Sequence, residues 1–166
     1  MITYIEEYYN KIMSGEIVAC KRIKQVYEML VNKLYNRHDN WVFDLERANL
    51  PIEFIETFCK QSQGDLGKNI ELQLFQKAKH QAVFGFIDET TGFRQYQEVL
   101  DIRGRKNGKT TELACDELFM GIGDGEGSPE VYNVATKKEQ AHKGFNECYK
   151  MIQQSEDLSK HVKKRK

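Results

Sequence analysis

The run Arg103-Gly104-Arg105-Lys106-Asn107-Gly108-Lys109-Thr110 constrains this chain more than any other stretch. A glycine-lysine-threonine turn acquires chemical meaning only where a strand ends and a helix begins. Both flanks fit that context. Gln95–Ile102 carries Tyr96, Val99, Leu100 and Ile102, enough β-formers for a strand. From Lys109 to Met120, Leu113, Ala114, Leu118 and Phe119 share a helical face, with Gly121 as the expected stop. Backbone N–H groups at a helix N-terminus present aligned dipoles and donors to a polyphosphate. In such a loop Gly108 permits close backbone approach and Lys109 reaches between the β- and γ-phosphates. Thr110 places its hydroxyl on Mg²⁺, and Thr111 helps hold the first turn around the α-phosphate. Gly104, Arg105, Lys106 and Asn107 complete the candidate nucleotide-binding set.

The general pattern G-x-x-x-x-G-K-[ST] asks for glycine five residues before Gly108, where this chain has Arg103. Gly104 comes one place late. Either the loop turns one residue tighter, or Arg103 keeps ordinary dihedrals and the need for glycine has moved to Gly104. Arg105 is the candidate to stabilise charge developing on the γ-phosphoryl group, acting with Lys109 as the catalytic pair. For Lys106 the simpler reading is a solvent-facing or surface-paired side chain.

Helical spacing dominates before residue 88. Ile5, Tyr9, Ile12 and Met13 mark one core face; Ile23, Val26, Tyr27, Leu30, Val31 and Leu34 mark a longer one. Trp41–Asp44 reads as a short extended link. Pro51 suits a helix first turn, with Ile52, Ile55, Phe58 and Cys59 on the buried side. Gln61–Gly67 breaks the pattern, and the boundary falls there: a helical region over 1–63, then 64–166 with the chemistry. A helix follows from about Leu72 to Phe86, and Asp88–Gly92 is a turn. Beyond the loop helix, Gly123–Pro129 is a surface loop and Glu130–Ala135 returns as a strand. Ala141, Phe145, Cys148, Tyr149 and Ile152 stripe a last helix, which Thr136 could cap with Glu139 in its first turn. The expected class is α/β: N-terminal helices, then strand-loop-helix-strand-helix units of a parallel sheet, incomplete within this chain.

Composition narrows the alternatives. Lysine plus arginine and aspartate plus glutamate each number 25, so no global charge argues for nucleic acid, although residues 161–166 form a basic run. No apolar run approaches the roughly 20 residues of a spanning helix, and the N-terminus lacks signal-peptide character, which predicts a cytoplasmic protein with no membrane partner. Cys20, Cys59, Cys115 and Cys148 lie far apart in sequence, without the spacing of a zinc site.

Arg105-Lys106-Asn107-Gly108-Lys109-Thr110 resembles the deviant phosphate loop of bacteriophage terminase large subunits, the ATP-driven motors that package DNA into capsids. Leu72–Gln76, followed by Phe84-Gly85-Phe86, is similar to that family's adenine-recognition segment, and Val134–Ala141 to the strand-to-helix element after its glycine-rich loop. Trp41–Asp44 and Ile52–Glu56 resemble the family's N-terminal lead. The resemblance implies ATP and Mg²⁺ as ligands and Gln76 reading the adenine edge, although a glutamine on a helix is ordinarily just exposed. It also implies double-stranded DNA, the portal and the small terminase subunit as partners, a homo-oligomeric motor in the bacterial host, and an endonuclease elsewhere in the intact protein. The family's catalytic acidic pair ends a later strand. Asp116-Glu117 is a decoy for it, two turns into the loop helix, so this chain alone is expected to hydrolyse ATP poorly or not at all. The alternatives are a nucleotide-binding fragment without chemistry and a small phosphotransferase, whose loop usually lies closer to the N-terminus.

Overall fold

The structure, a computed structural model, describes residues 2–36 and 39–162. Among the described residues the chain is α/β, mostly helical, with one small antiparallel sheet, and it divides into two compact units. The first comprises residues 1–52 and 72–100, the second 53–71 and 101–166.

In the first unit, α1 (Tyr4–Ser14) starts at Thr3, whose hydroxyl accepts from the Glu6 N–H while the Glu6 carboxylate accepts from the Thr3 N–H. This reciprocal pair satisfies two donors that a helix start leaves unpaired. Gly15 ends α1 at φ +84°, a left-handed cap that glycine adopts without a Cβ penalty. Ile5 and Ile12 are buried as expected, with Tyr8 as the third buried position; Tyr9 is only partly covered and Met13 is exposed. On α2 (Lys21–Tyr35) Tyr27 and Leu30 are buried, Val31 and Leu34 partly so, while Ile23 and Val26 face solvent. That face is narrower than its apolar composition implies.

β1 (Trp41–Phe43) converts the expected link into a strand, paired with β2 (Phe86–Asp88) through Trp41–Asp88, Val42–Ile87 and Phe43–Phe86. Asp44 then starts α3 (Leu45–Phe58), its carboxylate accepting from the Arg47 N–H at 3.0 Å. Pro51 therefore lies inside α3, not in its first turn. α4 (Leu74–Gly85) packs Ala78 and Ala82 with α1 and α2, and its buried Gln81 accepts from the Ile5 N–H and donates to Asn49. The turn at Asp88–Gly92 forms as expected, with the Asp88 carboxylate accepting from the Thr90 and Thr91 N–H groups.

Gly85 closes α4 against β1. A Cβ there would lie 2.5 Å from the Phe43 ring and 2.7 Å from the Ala48 methyl group. Overpacking of this kind costs about 1–3 kcal/mol. Gly85→Ala is therefore expected to lower the thermal midpoint by several degrees, and an unchanged midpoint would show that the Phe43 ring can move aside.

The second unit holds the last part of α3, then α5 (Lys109–Leu118), a π-helical turn (Phe119–Gly123), α6 (Lys138–Gln154) and α7 (Glu156–His161). Gly121 does not stop the loop helix: the chain continues through the π turn, and the Asp124 N–H reaches the Phe119 carbonyl. Phe54 packs on Phe119 with ring centroids 5.6 Å apart, and a Cβ on Gly123 would strike both rings. Cys59, Cys115 and Cys148, remote in sequence, are all buried here. The Cys59 neighbour and burial push the Cys115 thiol far up, and burial followed by the Glu117 carboxylate raises that of Cys148.

The two expected strands around the loop helix are corrected. Only the start of the first is tied down, by Gln95 N–H to the Phe86 carbonyl and a bridge between Ile87 and Arg94. The remainder, and all of Glu130–Ala135, lies outside any strand or helix. Leu100, Ile102 and Val134 are 87, 81 and 91 % exposed. A strand needs a hydrogen-bonded neighbour, and among the described residues neither segment has one, so β-forming side chains alone do not make a sheet. Thr136 does not cap α6 either: Lys137 occupies that position and the Thr136 hydroxyl donates to the Gln140 side chain. Of the basic run at 161–166, residues 163–166 lie outside the described residues.

Candidate nucleotide-binding site

The loop enters α5 through two left-handed residues, Lys106 at φ +63° and Gly108 at φ +67°. Neither Arg103 nor Gly104 adopts a positive φ, so the turn is made later than the general pattern places it. A lysine pays roughly 1–2 kcal/mol for that conformation, which a network of side-chain bonds around the loop must offset.

Arg103 is the centre of that network. Its guanidinium donates to Asp101 (2.9 and 2.8 Å) and to the Asn107 carbonyl (3.4 Å), and meets the Glu112 carboxylate at 2.6 Å. The side chain of Arg103 is 16 % exposed and that of Glu112 1 %. Burial opposes the charge on Arg103, but Glu112 and Asp101 outweigh it and push its pKa up. The residue standing where the pattern wants glycine is thus a clamp from the loop to the first turn of α5. Lys109 folds back, its ammonium donating to the carbonyls of Arg103 and Gly104.

Residues 105–111 line a cavity of about 560 Å³, within the usual range of small-molecule sites. Arg105, Lys106, Asn107, Gly108, Lys109, Thr110 and Thr111 come together around it, so Lys106 faces the cavity. Gly104 sits at its edge as an acceptor for Lys109. Gln76 belongs to the other compact unit, in the first turn of α4, where its side-chain oxygen accepts from the Gln73 N–H at 2.8 Å. Of Asp116-Glu117, Glu117 is engaged by the Asn133 amide (2.9 Å) and the Cys148 thiol (2.9 Å), and neither residue of the pair lines the cavity.

Sequence reasoning missed the far wall. Lys143, Asn146, Glu147 and Lys150 of α6 line the same cavity, as does Gln63. Glu147 is 6 % exposed and accepts from the Ser62 hydroxyl and, at 3.5 Å, from Thr111. The available signal was a charged, polar set at 143, 146, 147 and 150, one face of a helix by its spacing.

Compared with known families, residues 74–166 match an ATPase domain. It is the ATPase domain of the terminase large subunit, and because the match spans more than half of the 166 residues, the chain belongs to that family. Comparison with curated proteins and with solved structures returned no match. Among the described residues, no helix is long and apolar enough to cross a membrane.

Proposed function

We propose that this chain binds ATP at the cavity in front of α5 and serves ATP-driven DNA packaging. The observation that carries this reading is the convergence of residues 105–111 on one cationic cavity at a helix N-terminus, in a chain of the terminase ATPase family. Lys109 exchanges its carbonyl partners for the β- and γ-phosphates, and the N–H groups after Gly108 receive phosphate oxygens. In the intact motor Arg105, exposed and lining the cavity, stabilises charge on the γ-phosphoryl group as water attacks in line, whereas this chain alone hydrolyses ATP poorly or not at all. Lys106 and Asn107 hold the remaining phosphate oxygens, and Gly104 the turn. Thr110 is exposed and lines the cavity, so its hydroxyl would be one ligand of a hard cation that otherwise takes phosphate oxygens, waters and a carboxylate. Mg²⁺, when bound there, supplies charge neutralisation on the phosphates.

Gln76 selects adenine through its side-chain amide, which presents both donors and an acceptor. Residues 1–63 act as the helical lead and 64–166 as part of the ATPase domain, within a homo-oligomeric motor engaging double-stranded DNA, the portal and the small subunit. Equilibrium titration tests the nucleotide assignment. ATP is expected to bind more tightly than GTP; equal affinities would remove Gln76 from the reading, and no binding of either would overturn it.

A further inference from the structure

The α6 wall of the cavity has no part in the phosphate-loop chemistry described above. Glu147 is buried and joined to Thr111, the third residue of α5, at 3.5 Å, so this point of α6 is fixed against the start of the loop helix. Lys143 precedes Glu147 by four residues and Lys150 follows it by three, which puts them one turn to either side on the same face, with Asn146 between. Both lysines are exposed and both line the cavity that Lys109 and Thr110 line. Five cationic side chains therefore surround one cavity against the single carboxylate of Glu147. Like charges brought together in this way repel unless a polyanion separates them.

We propose that Lys143, Asn146 and Lys150 form a second phosphate-contacting surface, so that the phosphate chain of the nucleotide lies between the loop and α6 and the site reads the number of phosphates. Glu147 is the positioning residue: it ties α6 to Thr111 and to Ser62 and sets the height of the two ammonium groups. The inference rests on nucleotide binding at this loop. It adds a selectivity that the loop alone does not explain, because the lysines reach a long phosphate chain and leave a monophosphate largely untouched.

The test is equilibrium binding of ATP and AMP, at one ionic strength, to four forms of the full chain: wild type, Lys143→Ala/Lys150→Ala, Lys138→Ala/Lys160→Ala and Lys109→Ala. The control pair removes the same charge from exposed positions outside the cavity. The cavity pair is expected to weaken ATP about tenfold and AMP by less than about twofold, as two partly solvated charge contacts should, while the control pair changes neither. ATP affinity retained in the cavity pair but lost in Lys109→Ala would overturn the α6 surface and leave the loop assignment standing. Equal weakening by both pairs would reduce the effect to net charge and overturn it as well. Unchanged ATP affinity with loss of duplex DNA binding would assign the lysines to DNA instead. A wild-type chain without affinity for ATP would overturn both readings.

Discussion

Replacing Lys109 with alanine is expected to weaken ATP binding roughly 10- to 150-fold, the cost of losing a charge-assisted hydrogen bond to phosphate. The loss stays within that range because the ammonium group already has partners. It donates to the Arg103 and Gly104 carbonyls, so binding exchanges two neutral acceptors for charged ones instead of creating contacts from nothing. The same exchange predicts that Lys109→Ala costs little stability, below about 1 kcal/mol, since the bonds lost are exposed. Calorimetric titration paired with a thermal melt separates the two effects. An alanine variant that binds ATP as the wild type does would take Lys109 out of the site, whatever the melt reports.

A second large effect is expected from Glu112→Ala. Its carboxylate is almost fully buried in the first turn of α5 and meets the Arg103 guanidinium at 2.6 Å. Removing one partner of a buried ion pair leaves the other charge without compensation, at a cost of about 3–5 kcal/mol. Asp101 also holds Arg103, which places the expected loss near the lower end, at about 3 kcal/mol. Urea unfolding should show a lower midpoint with an unchanged slope. Arg103→Ala/Glu112→Ala should be less destabilised than the sum of its single variants, because the Arg103–Glu112 contact is lost in either single variant and counted only once in the double. Additive losses would show that the two side chains do not act as a pair. Arg103→Gly, which restores the general loop pattern, is then expected to loosen the loop instead of improving it.

The helices were legible because their signals are local. The apolar spacing around Ile5 and Ile12 and around Tyr27 and Leu30, and the step from Gly108 to Lys109, each lie within a few turns of chain, whereas the end signals read at Pro51, Gly121 and Thr136 were overridden by packing. The strands were not, because pairing is a property of two segments. Trp41–Phe43 looked like a link until β2 stood beside it, and Val99–Ile102 has the composition of a strand without a neighbour to bond. At the site, the loop residues could be named in advance because one short motif contains them all. Glu147, Lys143 and Lys150 form a polar helix face that the spacing shows, but only the packing of α6 on α5 brings that face to the loop. The role of Arg103 was equally hidden: its partner Glu112 reads in sequence as an ordinary acidic residue near a helix start.

Residues 53–71 precede the family-matched stretch, yet they belong to the same compact unit as the loop. From there Phe54 meets Phe119 and Ser62 bonds Glu147. The portable cassette is consequently not the segment that homology outlines. A transplant beginning at residue 74 would carry the glycine-lysine loop but forfeit the aromatic buttress beneath its helix and the hydroxyl that steadies its opposite bank.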